Sequence, residues 1–239
     1  MKPLEKRKKF KSPPKKFQPK GLPVLYEDHD ILVVDKRSGL LTVSTATDRE
    51  NTAYYMLTDY VRKGNPKSNN RIFIVHRLDR DTSGVIVFAK NEKAKRILQD
   101  QWPTFTKTYF AVVRGVLPDK QGIIRSYLAE NSIHKMYSVK DPEKGKLAET
   151  GYKVLKESKD YSLLEVDLMT GRKNQIRVHF AEKGFPVAGD KKYGTKDKNI
   201  KRLTLHAASL TMVHPLTKEE MTFEAKVPGY FYFLVTSRG

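Results

Sequence analysis

Short runs of Val, Ile, Leu and aromatic residues follow one another along the chain from residue 23 onwards. Residues 31–34, 85–88 and 161–168 are typical, and polar or glycine-containing turns bound each run. Such runs predict β-strands. Because strands follow strands without regular alternation with helices, the sequence predicts an α+β fold, in which helices flank one large, mostly antiparallel mixed sheet.

Three segments have the periodicity of helices instead. Within residues 51–63, apolar residues recur at the spacing of one helix face, and Asn51 or Thr52 can cap the first turn. Asn91 can cap a second helix, which should end near a Trp-Pro pair. A third, short helix fits residues 174–182.

The first residues differ from the rest of the chain. Residues 1–20 carry nine basic residues, one acidic residue and four prolines, which gives a net charge of +8 with almost nothing to bury. This composition predicts a disordered basic arm over residues 1–22, followed by a single domain over residues 23–239. Phe10 and Phe17 lie between basic residues and could stack on RNA bases, although a solvated charge run is the commoner role of such a segment.

The excess of positive charge extends beyond the arm. The chain has 46 Lys and Arg against 27 Asp and Glu, a net charge of +19. A second basic cluster lies at residues 189–202, with six basic and two acidic residues. Such an excess causes self-repulsion in the folded state, which a polyanionic partner offsets. The charge therefore favours a nucleic acid as partner, with a nonspecific basic surface or an acidic membrane surface as alternatives.

Several classes of chemistry lack the residues they need. The chain has no cysteine, which excludes disulfides, thiolate zinc sites, iron–sulfur clusters and cysteine nucleophiles. It contains no phosphate-binding GxxxxGK[ST] loop, no GxGxxG and no GxSxG motif, and its six histidines form no HExxH. We therefore expect no metal and no cofactor, and a chemistry that uses carboxylates, hydroxyls and guanidinium groups.

Membrane insertion and export also find no support in the sequence. The longest apolar run, residues 230–235, has six residues, whereas a membrane-spanning helix needs about 20. The first residues lack the apolar stretch of a signal peptide. We therefore expect a soluble, cytoplasmic protein.

The most unusual segment is the polar turn at residues 76–84, which reads HRLDRDTSG between two apolar runs. Arg77 and Asp79 are two positions apart, so on an extended segment their side chains would point the same way. One interpretation is a surface hairpin with a local ion pair, worth about 0–1 kcal/mol. The other is a carboxylate held at a sheet edge beside a guanidinium that probes a partner.

This turn strongly resembles the signature of the RluA-type pseudouridine synthase family, whose members isomerise uridine in RNA to its C-glycoside. Four further stretches resemble family motifs and keep the family order: DKRSGLL at 35–41, KTY at 107–109 with VVRG at 112–115, LMTGRKNQIRVH at 168–179 with GD at 189–190 and YG at 193–194, and LHA at 205–207 with HP at 214–215. The resemblance implies that residues 23–239 form a catalytic domain for ribosomal or transfer RNA. It implies an enzyme without metal or cofactor, monomeric and with no obligatory protein partner.

The resemblance also implies roles for individual residues. Asp79 would be the catalytic carboxylate, which either attacks the anomeric carbon of the ribose or removes a proton from the neighbouring ribose carbon. Arg177 would pair with this carboxylate, with phosphate binding as its alternative, and Tyr109 would stack on the target base and help to remove the C5 proton. Arg77 would fill the gap left by the extruded uridine. Further expected RNA contacts and pocket-wall residues are Arg172, Lys191 and Lys192, and Leu78 and Ile176, respectively.

The sequence departs from the family's usual motifs at two places. Asn174 stands where the family usually has His, and an amide can donate and accept hydrogen bonds as a neutral imidazole does. Asp35-Lys36-Arg37 stands where Asn-Lys-Pro is common.

The main rival function is that of a non-catalytic RNA-binding or ribosome-assembly protein on the same fold. A second is a nucleoside hydrolase or glycosylase, which would release free uracil.

Overall fold

The computed structural model of the chain describes residues 18–45, 48–195 and 200–236. Most of the expected arm, residues 1–17, therefore lies outside the described part. The last residues of the expected arm, 18–22, are packed. The amide of Val24 donates to the side-chain oxygen of Gln18 (3.0 Å), and Leu22 is fully buried.

The described residues contain eleven strands, four α-helices and two 3-10 helices of three residues each. In chain order the strands and α-helices are β1 (Val24–Glu27), β2 (Ile31–Lys36), α1 (Ala53–Arg62), β3 (Phe73–Ile74), β4 (Ser83–Ala89), α2 (Glu92–Gln101), β5 (Thr106–Arg114), β6 (Gln121–Glu130), β7 (Met136–Val139), β8 (Lys146–Glu157), β9 (Tyr161–Leu168), α3 (Gln175–Glu182), β10 (Leu205–Val213), β11 (Glu220–Glu224) and α4 (Gly229–Leu234). The chain divides into two compact units. The first comprises Met1–Phe105 and Ser209–Ala225, and the second comprises Thr106–Ala208 and Lys226–Gly239.

The first unit is built on strands in the order β1-β2-β4-β10, with β3 paired to β4 and β11 paired to β10. The antiparallel register of β2 and β4 places Val33 opposite Val87. Because side chains alternate along a strand, one apolar set from these strands packs in a shared core with Leu98 of α2 and Phe223 of β11. Burial of these side chains fixes the register of β4 and hence the position of the turn that precedes it.

The second unit contains strands in the order β5-β9-β8-β6-β7, all paired antiparallel, together with the first residues of β10. Two apolar clusters lie in it. One contains Val112 of β5 and Phe231 of α4, and the other contains Leu128 of β6 and Val178 of α3. Residues 175–180 of helix α3 are all buried, which holds its polar side chains in fixed positions.

The predicted fold class is confirmed: the structure is α+β with a large, largely antiparallel sheet. The three predicted helices are α1, α2 and α3, and the side chains of Thr52 and Asn91 cap the first two. Strand β7 and helix α4 were not predicted, since one has four residues and the other begins after Pro228 within a short aromatic run. Among the described residues, no helix is long and apolar enough to cross a membrane.

Candidate active site

The turn between β3 and β4, in the first unit, places the side chains around Asp79 on alternating sides. Arg77 is exposed, Leu78 is 4% exposed and Asp79 is half-buried. The hydroxyl of Thr42 donates to the carbonyl oxygen of Leu78 (2.8 Å) and accepts from its N–H (3.3 Å). Both backbone groups of the residue directly before Asp79 are thus held by one side chain.

The segment that follows β2 braces the other side of this turn. The amide of Gly39 donates to the carbonyl of Arg80 (2.9 Å), and Arg80 Nε donates back to the carbonyl of Gly39 (3.3 Å). The hydroxyl of Ser38 donates to the carbonyl of Asp81 (2.7 Å). Gly39 has a φ of 86°, a conformation that glycine adopts without strain. Residues 36–42 therefore form a brace along the backbone on both sides of Asp79.

Lys36 is the centre of this brace. Its side chain is fully buried, and its ammonium nitrogen donates to the carbonyls of Leu40 (2.7 Å), Arg37 (3.1 Å) and Arg80 (3.1 Å). Burial lowers the pKa of Lys36 to about 7, although nearby carboxylates, Asp79 foremost, favour its charged form. Sequence reasoning gave Lys36 no role. The sequence did offer one indication of a buried lysine, namely that Lys36 directly follows the largely apolar run ILVVD.

In the second unit, Arg177 of α3 forms a buried ion pair with Asp190. Arg177 Nε donates to Asp190 Oδ2 (2.7 Å) and Arg177 Nη2 donates to Oδ1 (2.8 Å), while the amides of Lys192 and Tyr193 also donate to Oδ1. Burial alone would raise the pKa of the Asp190 carboxyl, but the hydrogen bonds and charge of Arg177 and the two amides lower that pKa below its ordinary value. Asp190 was within a matched motif and had no predicted role.

Tyr193 lies against the same guanidinium. Its ring centroid is 5.2 Å from Arg177 Cζ, and its hydroxyl donates to Asn174 Oδ1 (3.1 Å) and accepts from the amide of Met136 (3.0 Å). Asn174 has a φ of 53°, in the left-handed region that Asn and His tolerate better than most residues. Asn174 thus fits this position, because it tolerates the backbone conformation and accepts a hydrogen bond from Tyr193.

The side chain of Gln175 forms hydrogen bonds with the loop that precedes α3. Its Oε1 accepts from the hydroxyl of Thr170 (2.8 Å) and the amide of Arg172 (2.9 Å), and its Nε2 donates to the hydroxyl of Thr150 (2.9 Å). One buried amide therefore fixes the loop that carries Arg172. The exposed Arg172 side chain donates from Nε to the carbonyl of Leu147 (2.9 Å).

Tyr109 lies in the middle of β5, opposite Val166, and is 8% exposed. Lys107, two positions earlier, lies on the same face of the strand, and burial lowers its pKa. Ile176 is also buried, at 4% exposure. The tyrosine that was predicted to lie over the target base is thus largely buried, with a buried lysine on the same face of its strand.

The predicted site residues divide between the two units. Arg77, Leu78 and Asp79 belong to the first unit, whereas the second contains Tyr109, Arg172, Ile176, Arg177, Lys191 and Lys192. Within the second unit the guanidinium of Arg177 and the backbone amide of Lys192 meet at the same carboxylate, Asp190, while Lys191 and Lys192 are exposed residues. The predicted pairing of Asp79 with Arg177 stays a prediction.

One group in the described residues has the ligand types of a metal site. Asp28, Asp30 and His214 place potential ligand atoms within 4.8 Å of one another. However, His214 Nδ1 accepts from the amides of Leu216 and Thr217, so Nε2 carries the proton and donates to Asp28 Oδ2 (2.9 Å). These atoms are engaged in hydrogen bonds, and the group is better described as a structural polar cluster.

Known proteins similar to this chain bear on its family. A family model described as RNA pseudouridylate synthase matches residues 30–182. Ribosomal large subunit pseudouridine synthase D of Pasteurella multocida is 32% identical over 245 residues, which cover 92% of this chain and 72% of the relative. The chain belongs to the RluA-type pseudouridine synthase family.

Further relatives agree with this membership. The synthase is 36% identical over 212 residues to a Bacillus subtilis protein named as an uncharacterized RNA pseudouridine synthase, YhcT, with 87% of this chain and 69% of the relative covered. A solved structure of human RNA pseudouridylate synthase domain containing 1 matches with a TM-score of 0.70 and 26% identity, over 87% of this chain and 84% of that one. The synthase is thus an isomerase by family, and RNA is its class of substrate.

Proposed function

We propose that the synthase converts specific uridines of ribosomal or transfer RNA to pseudouridine, with Asp79 as the catalytic carboxylate. The bond between C1′ and N1 breaks, the uracil turns within the site, and a bond forms between C1′ and C5. C5 loses a proton and N1 gains one, so the RNA keeps its composition. Glycosidases that admit water use two carboxylates. Because the uracil here never leaves, one carboxylate is sufficient.

Each predicted residue has a separate task in this proposal. Asp79 either attacks C1′ or removes the C2′ proton. Arg177 keeps that carboxylate ionised and oriented. Tyr109 stacks on the uracil and assists removal of the C5 proton. Arg77, whose side chain is exposed, occupies the space left in the RNA by the extruded base.

The brace around Asp79 is the observation that carries the proposal. Thr42 holds the backbone before the aspartate, and Lys36 and Gly39 hold the carbonyl of the residue after it. Burying a lysine to bind three carbonyls is costly, and a surface hairpin would not need it. Catalysis needs a reacting group held within about half an ångström of its productive position, and such a brace provides this.

The RNA to test first is that of the large ribosomal subunit. Two kinds of relatives carry names that refer to this subunit, the synthases C and D. The net charge of +19 suits a large polyanion. Transfer RNA is the alternative substrate. Both RNAs reside in the cytoplasm, so the proposal includes a cytoplasmic enzyme, acting as a monomer.

Tritium release tests this proposal directly. Unmodified transcripts of large-subunit ribosomal RNA, and separately of transfer RNA, are labelled with [5-³H]uridine and incubated with the synthase. We expect tritium to enter water while the uracil stays in the polymer. Free uracil would indicate a glycosylase, and the absence of release from both RNAs would favour the non-catalytic RNA-binding protein.

A further inference from the structure

The turn that joins β6 to β7 is held by internal hydrogen bonds and presents one large apolar side chain. Asn131 Oδ1 accepts from the amides of Ile133 (3.2 Å) and Lys135 (2.8 Å), and the amide of His134 donates to the carbonyl of Asn131 (3.0 Å). Ile133, at the tip, is 74% exposed, the highest value among the exposed large apolar residues of the described ranges. Because the backbone of the turn is held, this side chain cannot fold back to bury itself.

The same turn is attached to the surroundings of Arg177. Lys192 Nζ donates to the carbonyl of His134 (2.7 Å), and the amide of Met136 donates to the hydroxyl of Tyr193. Tyr193 is the residue whose ring lies against Arg177. The turn therefore has a fixed position relative to the ion pair of Arg177 and Asp190, within one unit.

Lysine side chains adjoin the turn that carries the exposed isoleucine, since Lys135 belongs to this turn and Lys192 is bonded to its carbonyl at His134. The ammonium groups of Lys135 and Lys192 both lie 5.6 Å from the centroid of the Tyr193 ring, and Lys173 pairs with Glu130 at the base of the turn. An apolar tip among ammonium groups complements a nucleotide, which has an apolar base and ribose surface next to a phosphate. It does not complement an apolar protein surface, because docking there would remove the ammonium groups from water and offer them no anionic group.

We propose that residues 131–135 are an RNA-binding element that recognises single-stranded RNA. Ile133 packs against an unpaired nucleotide, and Lys135 and Lys192 contact the flanking phosphates. This inference rests on the proposed function, because the nucleotide would be a neighbour of the target uridine. It assigns the recognition of unpaired RNA to a part of the chain that lies outside every matched motif.

Equilibrium binding tests the inference without catalysis. The probes are a fluorescein-labelled U12 oligonucleotide and a fully paired 12-base-pair RNA duplex. We expect Ile133→Ser to weaken U12 binding about 3- to 10-fold, at the lower end of the effect of losing a base-stacking side chain, and to change duplex binding less than 2-fold. The matched control is Ile123→Ser, because Ile123 is an exposed isoleucine (60%) at the other end of β6.

Equal effects of the two substitutions, equal losses with U12 and duplex, or no binding of U12 by the wild-type chain would overturn the inference. Ile133→Phe provides a second check, since an aromatic ring should bind U12 at least as tightly as isoleucine does. Tritium release by the wild-type chain separates the two proposals: its absence counts against the proposed function whatever U12 does, whereas its presence with unaltered U12 binding by Ile133→Ser counts against this inference alone.

Discussion

Asp190→Asn should uncouple the charge of Arg177 from its partner with little change of shape. The side chains of Arg177 and Asp190 are 10% and 0% exposed, so the pair is shielded from water. In the variant, Oδ1 can still accept from the amides of Lys192 and Tyr193, but an amide nitrogen would face an Arg177 N–H. The guanidinium would then be a buried charge without its carboxylate, which costs about 3–5 kcal/mol of unfolding free energy.

A pair with an exposed arginine and a partly exposed glutamate (70% and 21%) in the same unit serves as the matched control. Arg125 Nε donates to Glu149 Oε1 (2.7 Å), and the Arg125 side chain is 70% exposed. Because water screens this pair, Glu149→Gln should cost only about 0–1 kcal/mol. The two substitutions change the same atoms of a carboxylate, so the difference between them measures burial.

Urea unfolding at pH 7 gives both free energies, and single-turnover tritium release gives the effect on chemistry. We expect Asp190→Asn to slow turnover at least 10-fold, because the guanidinium assigned to Asp79 loses its orientation. The double variant Arg177→Met/Asp190→Asn should unfold with a smaller loss than the sum of the single losses. Similar costs for Asp190→Asn and Glu149→Gln, or additive losses in the double variant, would refute the reasoning.

Two further predictions concern other buried groups. Lys36→Met should reduce turnover at least 10-fold more than it reduces RNA affinity. The reason is that the carbonyls of Arg37, Leu40 and Arg80 lose their shared donor, so the turn that carries Asp79 loosens. Equal losses of turnover and affinity, measured in single-turnover and binding assays, would instead assign Lys36 to RNA contact. Burial lowers the pKa of His179 to about 4, so the neutral ring stabilises the fold above its ordinary pKa of 6.5 and this contribution is lost as the pH falls towards 4. The loss amounts to about 3 kcal/mol. His179→Gln should therefore make the unfolding free energy fall less steeply as the pH drops from 6.5 to 4. An unchanged dependence on pH in this range would contradict the assignment.

Local patterns account for what the sequence predicted well. The caps at Thr52 and Asn91 depend on hydrogen bonds to amides three positions later, and such short-range preferences are visible in any sequence. The strands β2 and β4 are long, apolar and bounded by turn residues, so their assignment needed no tertiary information. The resemblance then located Asp79, Tyr109 and Arg177 on the chain.

Long-range contacts account for what was missed. Thr42 holds Leu78 from 36 positions away, and Asp190 meets Arg177 from 13 positions away. No local periodicity encodes which carboxylate pairs with a given arginine, because the partner is chosen by how α3 packs in its unit. Strand β7 was missed for a related reason: Ser138 and its neighbours become a strand through pairing with β6 and a hydrogen bond to Glu182.

The most direct test of the account replaces one carboxylate and compares it with a neighbour. Asp79→Asn and Asp81→Asn change the same atoms two positions apart in one turn, and the Asp81 residue is exposed. Single-turnover tritium release from [5-³H]uridine-labelled RNA is measured alongside RNA affinity for both. The account predicts no release by Asp79→Asn with affinity within a few-fold of the wild type, and near-normal release by Asp81→Asn. Normal turnover by Asp79→Asn would contradict it.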